Sequence, residues 1–319
     1  MNGRVGPPLE AAPPRGCWGG VPVYLPRVSH VVRSLPPQPP RLSDTATPNT
    51  DFPVADLLAS RSRPRPAAVG SLLGGGISAD TGGRRVMVGS LFGGTGVSTL
   101  TALTERAWSA HRVPSVVMDA TGHWRPGLPD RLAPAQLFAS PTWADLDPRS
   151  VAGEFEAVRA ACDGRSVLIG AGARGDLVDP GTVATVAAHV AASWPLVLID
   201  MGSGAGRVRA HLQTGAPSLL VLVCRLSALE IRETADFLRE VHRDGLVDVH
   251  RAAVIATIGG SARSSSDAAA AVAAVSDTAA GSVRVRTCGA LARREAVVDG
   301  SHVDGAVQLL AAAVAAAPP

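Results

Sequence analysis

The chain contains no lysine, and its 30 basic residues are therefore all arginines. It also has little charge, because charged residues make up 18% of the sequence and the formal net charge is only +3. A net charge this small does not indicate a nucleic-acid partner or an anionic membrane surface. Alanine, glycine, proline, arginine and valine are abundant instead, which is typical of a GC-rich genome, whose codons disfavour lysine.

Cysteine is scarce, and the four cysteines lie too far apart for metal-ligand or redox spacing. They are Cys17, Cys162, Cys224 and Cys288. Cys224 lies in an apolar run, so we expect it in the core. No run reaches the roughly 20 apolar residues of a membrane span, and the first residues lack the apolar stretch of a signal peptide. These features predict a cytoplasmic protein.

Proline divides the chain into two parts. Residues 1–82 hold 14 of the 25 prolines and few apolar runs, so this segment cannot bury enough surface to offset its ordering entropy. We expect a mostly disordered, Pro- and Arg-rich arm that recruits a protein partner. Two short stretches of it, residues 21–32 and 54–60, are candidate docking elements.

Residues 83–319 alternate apolar runs with helical patterns. The runs are continuously apolar, as in strands buried on both faces of a parallel sheet. The pattern predicts one doubly wound α/β domain with a mostly parallel sheet of about seven strands. Predicted strands cover residues 85–91, 114–120, 166–172, 195–201, 217–225, 251–258 and 282–288. Predicted helices cover residues 97–111, 150–162, 180–194, 228–242, 267–275 and 303–317.

A glycine-rich loop follows the first strand of this domain. Glycines permit positive φ angles and close backbone approach, and the N-terminus of the next helix attracts anions. The motif predicts phosphate binding, with ATP or a related nucleotide as the ligand. The candidate binding residues are Gly93, Gly94, Thr95, Gly96, Ser98 and Thr99.

The segment "FGGTGVS", residues 92–98, resembles the K-G-G-x-G-K-[ST] loop of the ParA/MinD family of deviant P-loop ATPases. The resemblance extends over residues 85–312. It includes "SVVMDATG" as the D-x-D strand, "WPLVLIDMGSG" as the Walker B strand with switch II, and "SLLVLVCRLSALEIRETADFL" as the following strand and helix. It implies a bacterial protein that forms dimers around ATP. It also implies Mg²⁺ near Ser98, Asp119 and Asp200, although both aspartates could equally cap turns and Ser98 could cap its helix.

The departures from this family fall at catalytic positions. Phe92 replaces the signature lysine, Val97 the loop lysine and Thr121 the second aspartate of D-x-D. One cationic group can contribute about 10³–10⁵ in the rate of phosphoryl transfer, so hydrolysis is not expected. Arg225 and Arg174 each follow a predicted strand and are candidates for a substitute cation, although both are more simply interpreted as solvated surface charges.

Three functional hypotheses therefore stay open. The first is a non-hydrolysing positioning or regulatory protein that acts through protein contacts. Within it, "PTWADLDPRSVAGEF" and the lysine-free loop resemble the TadZ/CpaE branch, and a secretion-linked relative is an alternative. The second is a weak but functional ATPase. The third is a Rossmann dinucleotide binder, with "GTGVST" as the loop and Asp119 as the ribose-binding acid.

The remaining reactive residues indicate little chemistry. His123, beside Trp124, lies near the predicted ligand edge but has no metal-ligand spacing to another histidine. Residues 284–294 hold four arginines without interleaved aromatic residues, which favours a solvated face over a nucleic-acid site.

Overall fold

The computed structural model describes residues 17–18, 21–22, 83–109, 114–122, 127–132, 137–147, 150–170, 178–259, 270–271, 273 and 278–285. The strands of the main sheet are β1 Arg84–Ser90, β2 Ser115–Asp119, β3 Leu137–Ala139, β4 Ser166–Ile169, β5 Leu196–Ser203, β6 Leu219–Arg225, β7 Ala253–Ile258 and β8 Gly281–Val285. The helices are α1 Val97–Ser109, α2 Val151–Ala161, α3 Pro180–Ala191, α4 Ala205–Thr214, α5 Ala228–Arg243 and α6 Val249–Ala252.

The eight strands form one sheet in the order β8-β7-β6-β1-β5-β2-β4-β3, and every pair is parallel. The predicted α/β class is therefore confirmed, with one strand more than the sequence indicated. The additional strand is β3, whose three half-buried residues are too few to form an apolar run.

Alternating residues of each central strand enter opposite layers of the core. In β1, Met87 belongs to the layer that α2, α3, α4 and α5 cover, whereas Val86 and Val88 belong to the layer beneath α1. Both faces of the sheet are therefore apolar, which explains why the strands appear in the sequence as unbroken hydrophobic runs.

The predicted helices over 97–111, 150–162, 180–194 and 228–242 are confirmed, with ends that differ by a few residues. The sequence did not predict two helices, α4 and α6. Only Val208, His211 and Leu212 of α4 are buried, so its sequence lacks a strong apolar period. Of the predicted helix over 267–275, residues 270, 271 and 273 are described as helical.

Several predictions fall on residues that are not described. The helix over 303–317 lies outside the described residues. So does the Pro-rich arm, apart from an antiparallel pairing of Cys17–Trp18 with Val21–Pro22. Cys224 is fully buried, as predicted.

The strand order determines where a ligand can bind. Strand β1 lies between β5 and β6, so the chain leaves it towards β2 on one side and later reaches β6 on the other. Such a switch point creates a crevice at the carboxyl end of the strand, where open α/β sheets bind ligands. In the Rossmann order β1 and β2 are neighbours, but here β5 separates them. The structure therefore argues against the dinucleotide hypothesis.

A buried polar cluster ties α1 to the amino-terminal edge of the sheet. The carboxylate of Glu105 accepts hydrogen bonds from Ser109 and, at 2.6 Å, from Ser166, whose hydroxyl lies 2.8 Å from that of Ser115. Burial raises the pKa of Glu105. This cluster lies at the edge of the sheet opposite to the glycine loop.

Candidate functional site

The glycine loop has a backbone conformation that requires glycine at two positions. Gly94 has φ of 71° and Gly96 has φ of 91°, both in the left-handed region. A Cβ atom added at Gly93 or Gly94 would meet nothing within 4 Å, so the space above the loop is open. This geometry is suited to an anion that approaches the backbone.

Hydrogen bonds within the loop stabilise this conformation. The backbone N–H of Phe92 donates to Ser90 Oγ at 3.0 Å, and the Thr95 hydroxyl donates to the Phe92 carbonyl at 3.3 Å. The N–H of Leu100 donates to the Gly96 carbonyl at 2.9 Å, which closes the first turn of α1. Thr95 is therefore engaged in loop structure.

The loop brings no positive charge to this space. Val97, at the position of the family's loop lysine, is 6% exposed and packs in the core layer beneath α1. Phe92, at the position of the signature lysine, packs partly against the opposite layer. An anion at this loop would therefore be held by backbone N–H groups and the helix terminus.

Two aspartates end neighbouring strands beside the loop. Asp119 of β2 and Asp200 of β5 are register partners, and both are fully buried. The N–H of Ala120 donates to the backbone carbonyl of Asp200 at 2.9 Å, which keeps the two strand ends together. Their placement at the carboxyl ends of the strands is consistent with the prediction that they lie at the ligand edge.

Each aspartate also caps the turn that follows it. Oδ1 of Asp119 accepts from the Thr121 N–H at 3.0 Å and from the Thr121 hydroxyl at 2.6 Å. Oδ1 of Asp200 accepts from the Gly202 N–H at 2.9 Å. At the position of the family's second aspartate, Thr121 therefore acts as a hydrogen-bond donor to Asp119.

The two carboxylates are costly to ionise together. Burial, followed by the negative charge of Asp119, raises the pKa of Asp200 to about 7. The Ser98 hydroxyl is close enough to oppose this rise in the pKa, but Oδ2 of Asp200 has no hydrogen-bond partner among the described residues. Gly127 also lies close to Ser98, because a Cβ on Gly127 would lie 3.5 Å from Ser98 Oγ.

Arg207 is a cation whose charge is coupled to both carboxylates of this pair, and the sequence analysis did not identify it. It lies in the first turn of α4, and its guanidinium donates to the carbonyl of Ala120, directly after Asp119. Desolvation lowers the pKa of Arg207, whereas the charges of Asp200 and Asp119 raise it. The half-buried guanidinium thus lies in the field of both carboxylates.

The sequence could not identify Arg207, because its helix was not predicted. The arginine proposed instead, Arg225, donates from Nε to Glu230 Oε1 at 2.6 Å and is 59% exposed. This ion pair and its exposure support the interpretation of Arg225 as a solvated surface charge. Arg174 lies outside the described residues. The one signal for Arg207 was its place seven residues after Asp200, just beyond the glycines of the segment that resembles switch II.

The donors for a metal ion are incomplete within the described part of the chain. Ser98 and Oδ2 of Asp200 are oxygen ligands of the type that Mg²⁺ prefers. Oδ1 of Asp119 already accepts two hydrogen bonds from Thr121, and Arg207 supplies a fixed positive charge. No group of three or more His, Cys, Asp or Glu side chains in this part could hold a metal.

One contact at the same edge was not anticipated. The indole Nε1 of Trp143 donates to the backbone carbonyl of Asp119 at 2.7 Å, which places the segment after β3 beside the acid pair. His123, Trp124 and residues 286–294 lie outside the described residues. Within the residues described, we find no helix with the length and apolarity to cross a membrane.

Comparison with known proteins identifies the fold. No protein-family model and no curated protein matches the chain. It is similar to the structure of a single-residue variant of Cyanothece McdA in complex with ATP, with a TM-score of 0.50, 13% identity, and coverage of 73% of this chain and 96% of that one.

Two further solved structures are similar over comparable lengths. Apo McdA of Cyanothece has a TM-score of 0.50, 13% identity and coverage of 72% and 99%. The MinD cell division protein of Aquifex aeolicus has a TM-score of 0.48, 14% identity and coverage of 72% and 95%. At this identity the likeness to McdA establishes a shared fold, in agreement with the parallel α/β sheet described above.

Proposed function

We propose that the chain is a ParA/MinD-like protein with a degraded nucleotide site, which binds phosphate or nucleotide weakly, does not hydrolyse it and acts through protein contacts. The observation that carries the proposal is the buried side chain of Val97. It fills a core position where the loop of an active relative would present a lysine to the phosphates.

The loop geometry supports residual anion binding. Gly94 and Gly96 hold positive φ angles, and the space above Gly93 and Gly94 is open. A charge-assisted hydrogen bond contributes about 1.5–3 kcal/mol, so its loss weakens nucleotide binding about ten- to a hundredfold. The similar McdA structure is a complex with ATP, which makes ATP and ADP the natural ligands to test.

The same observations disfavour hydrolysis. Phosphoryl transfer depends on positioned positive charge and on a group that orients water. Phe92 and Val97 bring no charge to the loop, and Thr121 donates to Asp119 instead of offering a carboxylate. We therefore assign the biological role to surfaces of the protein, with partners recruited through the Pro-rich arm, through a homodimer, or both. For this biological role we propose two alternatives, a TadZ/CpaE-like positioning role and a secretion-linked role.

A weak but active ATPase is the second candidate, and Arg207 is the observation that favours it. Its guanidinium donates to the backbone carbonyl of Ala120 at the ligand edge and is coupled electrostatically to Asp200 and Asp119. An arginine in this place could stabilise charge on a transferring phosphoryl group in place of the missing lysines.

Phosphate release from ATP in the presence of Mg²⁺ separates the two candidates. We expect no turnover above background from the wild-type protein or from Asp200→Ala. Calorimetric titration with ATP, ADP and NAD should show weak binding of the first two and none of NAD. Turnover that requires Mg²⁺ and disappears in Asp200→Ala would establish the active ATPase instead.

A further inference from the structure

The acid pair at the ligand edge carries its own counter-ion. Asp119 and Asp200 end adjacent strands in register, with both side chains fully buried. The guanidinium of Arg207 interacts electrostatically with both carboxylates and donates to the backbone carbonyl of Ala120, the residue after Asp119. Two carboxylates and one guanidinium thus lie in a partly dehydrated part of the protein. In a metal-dependent site, a divalent ion would balance the carboxylates there.

We propose that Arg207 is the resident cation of this acid pair and excludes a divalent metal ion, so that the glycine loop takes its phosphate ligand as a metal-free anion. The first half of this inference concerns Arg207 alone. The second half rests on the proposed function, because it takes the loop to be a phosphate site.

The backbone around Arg207 holds the guanidinium in place. The N–H of Gly204 donates to the carbonyl of Ser90 at 2.8 Å, which attaches the start of α4 to the end of β1. The guanidinium itself donates to the Ala120 carbonyl on the other side of β5. An arginine is suited to this role because it remains protonated when partly buried and binds through several planar donors.

His211, a titratable group in the next turn of α4, does not compete with Arg207 for the acid pair. His211 lies one helical turn later and is 1% exposed. Burial, followed by the charge of Arg207, lowers the pKa of His211 to about 4, against the opposing charge of Asp179. His211 is therefore neutral near pH 7, and Arg207 is the fixed positive charge on this face of α4.

Repulsion by a nearby guanidinium is large enough to weaken metal binding measurably. A unit charge about 6 Å from a divalent ion changes its affinity about tenfold even in a fully aqueous dielectric, and more in a partly buried space. Two of the four oxygens of the acid pair are also committed to hydrogen bonds from Thr121 and Gly202. Arg207 thus offsets part of the negative charge of the pair, and one oxygen of each carboxylate already accepts a hydrogen bond without metal.

Mn²⁺ binding to the full chain, followed by the electron paramagnetic resonance signal of free Mn²⁺, tests the role of Arg207. We compare wild type, Arg207→Gln and Arg209→Gln. Arg209 is the matched control, because it lies on the same helix but pairs with Glu240 and Asp244 on the surface. We expect Arg207→Gln to bind Mn²⁺ at least about tenfold more tightly than wild type or Arg209→Gln. Adding Asp200→Asn to Arg207→Gln should abolish the gain.

Two further variants keep this test decisive. Arg207→Met removes the charge but retains an apolar stem, and it replaces Arg207→Gln if that variant does not unfold cooperatively on heating. Arg207→Lys retains the charge and should bind Mn²⁺ no more tightly than wild type. Equal Mn²⁺ affinity in wild type and the uncharged variants, whether tight or undetectable, would overturn the inference.

The phosphate half is tested by titrating ADP into wild type with Mg²⁺ and with EDTA. We expect the same affinity in both conditions, whereas tighter binding with Mg²⁺ would overturn this half. Absence of ADP binding in both would refute the phosphate assignment of the loop, while the Mn²⁺ comparison would still decide the role of Arg207. Hydrolysis of ATP bears on the proposed function alone.

Discussion

Val97 is an apolar residue at the position where the similar ParA/MinD loop has a lysine. Its side chain packs in the core layer beneath α1, while Gly94 and Gly96 beside it hold positive φ angles. The sequence alone showed that no lysine stands at this position, but it did not show that the valine is a buried core residue. That distinction matters, because a lysine here must give up apolar contacts to reach the ligand.

We expect Val97→Lys to raise the affinity for ATP about ten- to a hundredfold, since it restores a charge-assisted hydrogen bond. It should also lower the free energy of unfolding by about 1–3 kcal/mol, because a buried valine is lost. Calorimetry and urea unfolding measure the two effects. Val97→Met is the uncharged control of similar length. A gain in Val97→Met as large as that in Val97→Lys would show that charge is not the cause.

Asp200 gives the site a dependence on pH. Its pKa is about 7 in the folded protein, against an ordinary value of 3.8. A carboxyl with a raised pKa favours folding below its unfolded pKa, and this contribution is lost as the pH rises through the folded pKa. The loss therefore falls between about pH 4 and pH 7.

We expect Asp200→Asn to exceed wild type in free energy of unfolding by roughly 2–4 kcal/mol at pH 8, and to match it near pH 4. Urea unfolding across this range provides the measurement. Asp236→Asn, which alters an exposed carboxylate paired with Arg239, should follow the wild-type profile. A difference that is constant with pH would show that Asp200 does not titrate in this window.

At the scale of elements, the residue before β1, Gly83, packs tightly against the end of α3. The N–H of Gly83 donates to the Ala191 carbonyl at 2.6 Å. A Cβ on Gly83 would lie 1.9 Å from the backbone oxygen of Trp194 and 2.7 Å from that of Ala191. Both contacts are with backbone, so the strand cannot accept a side chain there without moving.

Gly83→Ala should therefore lower the free energy of unfolding by about 1–3 kcal/mol or more. Gly93→Ala is the matched control, because an added Cβ there meets nothing within 4 Å, and its effect should stay within about 0.5 kcal/mol. Thermal or urea unfolding distinguishes them. Equal effects of the two substitutions would mean that the contact of Gly83 with the end of α3 is not tight in solution.

The elements that the sequence predicted share one property, a strong apolar signal. Strands such as β2 and β6 are buried on both faces and are therefore continuously hydrophobic. The short strand β3 and the polar helix α4 lack such a signal, because one is three residues long and the other buries only part of one face. Because α4 was not predicted, Arg207 went unnoticed.

At the scale of the whole molecule, the described members of the two core layers lie between Val86 and Val285. We propose that residues 83–319 are a domain that folds without the preceding arm. A chain of residues 83–319 should unfold in one cooperative transition, with a free energy within about 0.5 kcal/mol of the full chain. A broad transition, or a clear loss of stability, would show that residues 1–82 contribute to the fold.

The sequence by itself determined the α/β class, the glycine loop and the places of Asp119 and Asp200, because these depend on local periodicity and on residue types next to strand ends. It could not determine the strand order, which places β5 between β1 and β2 and brings the two aspartates into register. Nor could it show that Val97 points into the core and that Arg207 lies in the field of the acid pair. Those features depend on contacts between elements far apart in the chain, and only the tertiary structure decides which side chains share one dehydrated space.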